Sequence, residues 1–228
     1  MTIVIAIDGP SGSGKSTVAR GVADALDLDV LDTGAMYRAV TLAVLERGAA
    51  VDDGGACREV ARAVELVLDG GVSLDGRDVS AVIRGPKVTT AVSTVSAHPE
   101  VREVLVAMQR AWVEDHGGGV VEGRDIGTVV FPDATVKVFL TASDRERAWR
   151  RQRDEAAAER EVEVERVRET MERRDRADST RAASPLQPAP DAMVLDTTGH
   201  SVADIVAAIV DRYHAQRSRG GTRGAGTQ

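Results

Sequence analysis

Residues 9–16, Gly-Pro-Ser-Gly-Ser-Gly-Lys-Ser, constrain the fold more than any other segment of the chain. They match the phosphate-binding pattern of a glycine, four residues, a second glycine, a lysine and a serine or threonine. The apolar, β-branched run at residues 3–7 predicts a buried strand before them, and residues 17–26 carry apolar side chains at helical spacing. A strand, a glycine-rich turn and a helix in this order predict a site for a nucleoside triphosphate.

This glycine-rich segment is suited to phosphate because its backbone can curl until successive N–H groups face one anionic centre. The helix that follows adds the positive end of its dipole. The usual mechanics of the motif place Lys15 at the β- and γ-phosphates and the Ser16 hydroxyl on Mg²⁺. We therefore predict a donor-binding loop formed by Gly9, Pro10, Ser11, Gly12, Ser13, Gly14, Lys15, Ser16 and Thr17, with Mg²⁺ as cofactor.

Composition narrows the class of protein. The 228 residues suit one large domain or a core with inserted subdomains, and a net charge of −7 argues against a protein that coats nucleic acid. The single cysteine, Cys57, excludes an internal disulfide, and no apolar stretch approaches the length of a membrane span. We expect a soluble cytoplasmic protein that binds neither nucleic acid nor a membrane.

The rest of the chain continues to alternate between strand and helix patterns. Short apolar runs predict further strands at residues 29–32, 119–122, 135–140 and 193–196. Helical spacing predicts helices at residues 35–47, 57–66, 87–97, 99–115 and 202–213. This alternation is typical of a parallel α/β core, in which ligands bind at the carboxyl ends of the strands.

Three segments depart from this alternation. A small antiparallel sheet is predicted from strand-like runs at residues 64–68, 71–74 and 78–83, separated by the turn signals Asp69-Gly70-Gly71 and Asp75-Gly76. Residues 144–176 are almost wholly charged and helix-forming, which is typical of a solvated helical pair or a mobile lid. Residues 217–228 offer nothing to bury, so we predict a disordered tail.

Arginines near the predicted strand ends indicate the acceptor. A GTPase would normally carry an Asn-Lys-x-Asp motif, and this chain has no asparagine. Arginines follow two of the predicted strands, at residues 33–38 and 124–125, and occur again at residues 174–181. They are suited to a phosphate acceptor because a guanidinium group binds phosphate through two hydrogen bonds. The four histidines are scattered along the chain and show no pairing with a nucleophile: His98, His116, His200 and His214. This fits an acceptor that attacks through a phosphate oxyanion, because such a group needs no general base. These features predict a small kinase whose acceptor is itself a phosphate.

From residue 3 to about residue 213, the chain resembles the bacterial cytidylate kinases, of the nucleoside monophosphate kinase group. The resemblance is carried by residues 7–17, 31–38, 101–102, 123–132 and 175–186, the last ending in Ser184-Pro185-Leu186. It implies an α/β P-loop kinase with a five-stranded parallel sheet flanked by helices, a monophosphate-binding insert containing a small antiparallel sheet, and a helical lid. The implied parts are a core at residues 1–46, 116–143 and 179–216, the monophosphate-binding region at 47–115 and the lid at 144–178.

The resemblance also implies transfer of the γ-phosphoryl group of ATP to CMP or dCMP, in pyrimidine nucleotide metabolism, by a monomer. Lys15, Arg124 and Arg181 would be catalytic, and the lid would add Arg150 and Arg153 to the ATP site. The residues implied for CMP are Arg38, Arg124 and Arg181 at its phosphate, with Thr33 and Tyr37 nearby; Ser93, Arg102 and Asp125 at the cytosine; and Arg174 and Asp178 at the ribose. Thr33 and Glu122 depart from the expected pattern, where serine and aspartate are more common.

Other functions remain open. The nearest is a related kinase that acts on another monophosphate, or on a small metabolite such as shikimate. A different class would be a nucleotide-binding regulator or an assembly subunit without catalysis. Such a protein would be free to lose Lys15, Ser16, Arg124 and Arg181, all of which are present in this chain.

Overall fold

The computed structural model describes residues 2–68, 70–157 and 164–221, and side chains in these ranges except at residues 154–157, 164 and 219–221. The strands are β1 (Ile3–Asp8), β2 (Val30–Asp32), β3 (Leu66–Val67), β4 (Ser73–Leu74), β5 (Arg77–Asp78), β6 (Gly118–Gly123), β7 (Val136–Thr141) and β8 (Met193–Asp196). The helices are α1 (Lys15–Leu26), α2 (Thr33–Glu46), α3 (Gly54–Ala63), α4 (Pro86–Ala97), α5 (Pro99–Asp115), α6 (Asp144–Ala157), α7 (Val164–Thr180) and α8 (Val202–Gly221).

The central sheet has five parallel strands in the order β2-β6-β1-β7-β8. β1 lies in the middle, which explains its continuous apolar sequence, because helices cover both faces of the sheet. Its two neighbours pair with it in register, with Ile5 opposite Val120 of β6 and Val136 of β7. The carboxyl ends of β1, β6 and β2 therefore meet at one edge of the sheet. This edge holds the glycine-rich loop, Arg124 and Thr33, and the architecture confirms the predicted fold class.

Two apolar clusters hold the helices against the sheet. On one face Val4 and Ala6 pack with residues of the helices from α2 to α5. On the other face Ile5 and Ile7 pack with α1 and α8. Because side chains alternate along a strand, one central strand supplies both clusters and ties the two helical layers together.

The predicted antiparallel insert exists, but its third strand was placed wrongly. β3, β4 and β5 form a three-stranded sheet, and Asp75 and Gly76 take the positive φ angles that the turn signal predicted. The strand predicted at residues 78–83 is only Arg77–Asp78 and is followed by a 3₁₀ turn, Val82–Arg84. The Ser80 N–H donates to the Asp78 carboxylate and the Ser80 hydroxyl accepts from Val72 N, at 2.9 Å each. These bonds turn the chain away from the sheet. Asp69 lies outside the described residues.

The C-terminal helix is longer than predicted. α8 continues past Tyr213 to Gly221, so residues 217–221 are helical, and the prediction of a disordered tail is wrong for them. The Arg217 guanidinium donates to the Tyr213 hydroxyl at 3.1 Å and lies over its ring, which supports this extra length. Residues 222–228 of the predicted tail, and residues 158–163 of the predicted lid, lie outside the described residues. Over the described part of the chain, no helix is both long and apolar enough to cross a bilayer.

Candidate functional site

A cavity of about 870 Å³ opens at the carboxyl edge of the parallel sheet. The predicted site residues that line it are Ser11, Gly12, Gly14, Lys15, Ser16, Thr17, Thr33, Tyr37, Arg38, Arg102, Arg124, Asp125, Arg150, Arg153, Arg174, Asp178 and Arg181. Ser93 does not line it: this residue is half-buried on α4, and its carbonyl accepts from the hydroxyl of Ser96, which does line the cavity. Gly9, Pro10 and Ser13 of the predicted loop do not line it either, so the structure brings most, but not all, of the predicted donor and acceptor residues to one cavity.

The part of the cavity predicted to bind the donor, which we call the donor side, is formed mainly by the backbone of the loop at residues 9–17. Gly12 and Gly14 take φ angles of 75° and 89°, and a Cβ on Gly9 would lie 2.2 Å from the Leu140 carbonyl oxygen. The residue before α1 is Gly14, which has no side chain to cap the helix, so the first N–H groups of α1 stay open to a ligand. This geometry suits the phosphates of a nucleotide.

Lys15 begins α1 and is buried against the loop. Its ammonium group donates to the Pro10 carbonyl at 2.7 Å, which folds the side chain back over the loop. Burial lowers the Lys15 pKa, and the nearby Arg124 lowers it further, while Glu122 acts in the opposite direction. A bound polyphosphate would favour the charged ammonium, because it brings opposite charge to a poorly solvated cation.

Oxygen ligands for a hard cation lie beside the loop. The Ser16 hydroxyl donates to the Glu122 carboxylate at 3.0 Å, and Asp32 lies opposite Glu122 in the register of β2 and β6. Burial raises the pKa of Glu122, and the charge of Asp32 raises it further. Among the described residues, no three His, Cys, Asp or Glu side chains cluster as a metal site. Mg²⁺ needs only one or two protein ligands besides water and phosphate, so this set fits it.

A buried ion pair forms one end of the part of the cavity predicted to bind the acceptor, which we call the acceptor side. The Arg102 guanidinium bonds to the Asp125 carboxylate, and both side chains are about 5% exposed. Arg181 reaches the other oxygen of Asp125 at 3.7 Å, and Ser184 accepts from both arginines, at 3.2 Å from Arg102 and 2.7 Å from Arg181. The Tyr37 ring lies 5.4 Å from the Arg102 guanidinium carbon, and burial raises the Tyr37 pKa to about 12. Contacts within the protein therefore hold both Arg102 and Asp125 in fixed orientations.

Two further arginines on this side, Arg38 and Arg174, carry charge that their surroundings compensate poorly, whereas Arg124 pairs with the Asp178 carboxylate at 3.1 Å. Arg38 is buried and donates to the Ile83 carbonyl and the Thr89 hydroxyl, at 3.0 Å each. Burial, then the charge of Arg174, lowers the Arg38 pKa to about 8. Burial, then the charge of Arg124, lowers the Arg174 pKa to about 10. An anion in the cavity would relieve these depressed values, so the cluster is suited to a phosphate group.

The two lid arginines predicted for the ATP site lie in different surroundings. Arg150 donates to the hydroxyl and the carbonyl of Thr197, at 2.8 and 2.9 Å, and a Cβ on Gly14 would lie 3.4 Å from its guanidinium. Arg153 is exposed, with its guanidinium 4.8 Å from the Trp149 ring centroid. Arg150 is thus the one that borders the donor loop.

A family model described as cytidylate kinase matches residues 5–215. The chain belongs to the cytidylate kinase family. A cytidylate kinase of Mycobacterium leprae is 51% identical over 210 residues, which cover 92% of this chain and 94% of that protein. A bifunctional pantoate ligase/cytidylate kinase of Synechococcus sp. is 49% identical over 226 residues, which cover 96% of this chain. The match spans only 42% of that bifunctional relative's length.

Solved structures share the fold at much lower identity. A gluconokinase from Sinorhizobium meliloti superposes with a TM-score of 0.52 at 13% identity, covering 97% of each chain. An uncharacterized protein from Eubacterium ventriosum gives a TM-score of 0.51 at 13% identity, covering 93% of this chain and 98% of that one. Both likenesses concern the fold alone.

Sequence reasoning missed three side chains that hold the donor loop of this cytidylate kinase family member. Arg147 of α6 donates to the Ser11 carbonyl at 3.0 Å and bonds to Asp175 of α7, whose carboxylate accepts from the Ser11 N–H at 3.2 Å. Thr197, after β8, donates to the Ser13 carbonyl at 3.1 Å. Arg147 and Asp175 lie within long charged runs, where no local pattern singles them out. Only the tertiary fold brings them to the loop.

Proposed function

We propose that this chain transfers the γ-phosphoryl group of ATP to CMP or dCMP, giving CDP or dCDP and ADP. The observation that carries this proposal is the buried Arg102–Asp125 pair, which lines the same cavity as the donor loop in a chain of the cytidylate kinase family. Asp125 would accept a hydrogen bond from the exocyclic amino group of cytosine, where uracil has only an oxygen. This difference would select cytosine nucleotides.

Separate parts of the cavity would hold the two substrates. The loop at residues 9–17, with Arg150 and Arg153, would hold ATP. Arg38, Arg124 and Arg181 would bind the acceptor phosphate near Thr33 and Tyr37, and Arg102 and Asp125 would hold the base. Ser93, which lies beside the cavity on α4 and does not line it, stays a prediction for the base. Arg174 and Asp178 would contact the ribose. We accordingly propose a core at residues 1–46, 116–143 and 179–216, a monophosphate-binding region at 47–115 and a lid at 144–178. We also propose that the protein is a cytoplasmic monomer.

The chemical step would depend on positioning and charge rather than on proton transfer to a base. Lys15, Arg124 and Arg181 would neutralise the negative charge that develops on the transferring phosphoryl group. The attacking group is a phosphate oxygen that is already ionised, so no general base is required. Closure of α6 and α7 over the donor loop would exclude water, which could otherwise accept the phosphoryl group.

Mg²⁺ fits the oxygen ligands beside the loop. Ser16 would bind it directly, and Glu122 and Asp32 would orient its water ligands. When bound, Mg²⁺ would supply positive charge that offsets the negative charge of the phosphates. Before the metal binds, the Ser16–Glu122 bond keeps the serine hydroxyl turned toward this position.

A panel of acceptors tests the proposal. Initial rates with MgATP should be highest for CMP and dCMP, and much lower for UMP, AMP, dTMP and shikimate. A higher kcat/KM for another acceptor would assign the chain to a related kinase. ATP binding without product from any acceptor would favour a regulatory role and overturn the proposal.

A further inference from the structure

Asp8 is a buried carboxylate to which the mechanism above gives no role. It is the last residue of β1, immediately before the donor loop, and is only 4% exposed. One carboxylate oxygen accepts from the Ile126 N–H and the other from the Gly127 N–H, both at 2.8 Å. The bonds span 118 and 119 residues of sequence, so Asp8 fixes a distant segment to the start of the donor loop.

That distant segment is the turn that carries the acceptor residues. β6 ends at Gly123, Arg124 and Asp125 follow, and a π-helical turn then runs from Ile126 to Val130. Arg124 points to Asp178 and Asp125 points to Arg102, so the two side chains diverge from adjacent backbone positions. Their directions depend on the backbone at the start of the π-helical turn. The first N–H groups of such a turn have no partner within it, and Asp8 supplies their acceptor.

The group used for this contact is costly to bury. Burial raises the pKa of Asp8 to about 6, and the nearby Asp125 contributes in the same direction, whereas the two N–H groups lower the pKa. At neutral pH the carboxylate is therefore charged in a poorly solvated place. Its two charge-assisted bonds are stronger and more directional than those of a neutral side chain.

We propose that Asp8 is a positioning residue that sets the directions of Arg124 and Asp125, and thereby the selectivity for cytosine. This inference rests on the proposed function, because it concerns the acceptor of that reaction. Asp8 acts through the backbone of residues 125–127 and touches neither substrate. It joins the donor loop and the acceptor turn through a single side chain.

The variant Asp8→Asn tests this role with little change of shape. An asparagine can accept one N–H through its carbonyl but presents its own NH₂ group to the other, so one bond is lost. We expect the KM for CMP to rise about tenfold, the effect of one lost charge-assisted bond. The preference for CMP over UMP should fall by a similar factor, while the KM for ATP should change less than about twofold. Amide hydrogen exchange at Ile126 and Gly127 should become faster.

Asp53→Asn is the matched control. The Asp53 carboxylate also accepts a backbone N–H, from Ala56 at 3.0 Å, but it caps α3 away from the cavity. An asparagine caps a helix about as well as an aspartate, so kinetics and exchange should remain at the wild-type values. Circular dichroism should show both variants folded.

A second pair of variants changes the other side of the same bond. Gly127→Pro removes the N–H that Asp8 accepts, and proline is tolerated in the first turn of a helix. Gly127→Ala keeps the N–H, and the atoms nearest to its Cβ would belong to the Lys137 side chain, with Cγ and Cδ at 3.3 Å. Gly127→Pro should lower the preference for CMP over UMP, and Gly127→Ala should not. If Asp8→Asn does not fold, the comparison of Gly127→Pro with Gly127→Ala tests the positioning role of Asp8 instead.

Two results would overturn the positioning role. One is unchanged amide exchange in Asp8→Asn; the other is an equal loss for CMP and UMP. Failure of the proposed function looks different, since the wild-type protein itself would then not phosphorylate CMP. In that case the exchange measurement alone still decides whether Asp8 holds the turn.

Discussion

The donor and acceptor sides of the cavity are built in different ways. The donor loop is nine consecutive residues, and what it offers a ligand is mainly backbone N–H groups and one lysine. The acceptor side consists of charged side chains from α2, α5, α7 and the segment after β6, several of them paired with carboxylates. One side is local in sequence, and the other exists only once the chain has folded.

This difference follows from what each side has to recognise. Every nucleoside triphosphate carries the same phosphates, so a curled backbone and a cation suffice to bind them. A particular base differs from its relatives by a few donors and acceptors, which only side chains in fixed positions can distinguish. The buried Arg102–Asp125 pair meets this requirement, because neither member can move far without leaving a charge uncompensated. Variants that affect one side alone therefore test this division.

The largest expected effect is on the donor side. Lys15→Met should lower kcat at least about 1,000-fold, because the proposed mechanism uses the Lys15 ammonium to neutralise charge on the transferring group. CMP binding, measured by titration calorimetry, should change less than about threefold, because the acceptor residues stay in place. Lys137→Met is the control, because the Lys137 ammonium pairs with the exposed Asp191, and methionine keeps an unbranched side chain beside Gly127. Both quantities should stay unchanged in this variant. Loss of CMP binding in Lys15→Met would show that the two sides are not independent.

The acceptor side should respond selectively to the loss of Asp125. Asp125→Ala should lower kcat/KM for CMP about 100-fold, because the cytosine amino group loses a charged, buried acceptor. For UMP the loss should stay below about fivefold, because uracil offers no amino group to that carboxylate. Asp191→Ala, at the surface, serves as the control for a lost aspartate. Equal losses for the two nucleotides would remove Asp125 from base recognition.

A smaller effect is expected where the lid helices hold the donor loop. Arg147→Ala removes the bonds to the Ser11 carbonyl and to Asp175, so the KM for ATP should rise about fivefold. The KM for CMP should stay within about twofold, since Arg147 contacts only the donor side. Arg168→Ala removes an exposed arginine of α7 that pairs with Glu165, and it should change neither KM. A rise in the KM for CMP alone would contradict this assignment.

The same difference explains how much could be predicted from the sequence. The donor loop was predicted residue by residue, because its glycines, lysine and serine stand at fixed spacing between a strand and a helix. Arginines near strand ends predicted the acceptor only as a phosphate, and the roles of individual residues came from the family resemblance. The contacts of Asp8, Arg147 and Thr197 could not be predicted, because each joins segments more than 100 residues apart. The third insert strand was misplaced because Ser80 and Asp78 take over its backbone bonds.

The smallest expected effect concerns the residue that joins the two sides. The Asp8 pKa rises from an ordinary value of 3.8 to about 6 in the folded protein. A raised pKa adds stability in full below pH 3.8, and this contribution disappears as the pH rises through 6. The free energy of unfolding of the wild-type protein, minus that of Asp8→Asn, should therefore fall by about 1 kcal/mol between pH 5 and 7.5.

Urea unfolding of both proteins at the two pH values measures this difference, in which the other titrating groups largely cancel. The expected result would mean that, at neutral pH, the Asp8 carboxylate accepts the Ile126 and Gly127 N–H groups in its charged form, although burial of that charge costs stability. Such a cost is expected where a buried group serves recognition rather than stability. Parallel pH profiles for the two proteins would show instead that the carboxylate is as well solvated in the fold as in the unfolded chain. The Asp8 contact would then stabilise the turn without any cost from burying the charge. The donor and acceptor sides would in that case not be joined by an unfavourably buried carboxylate.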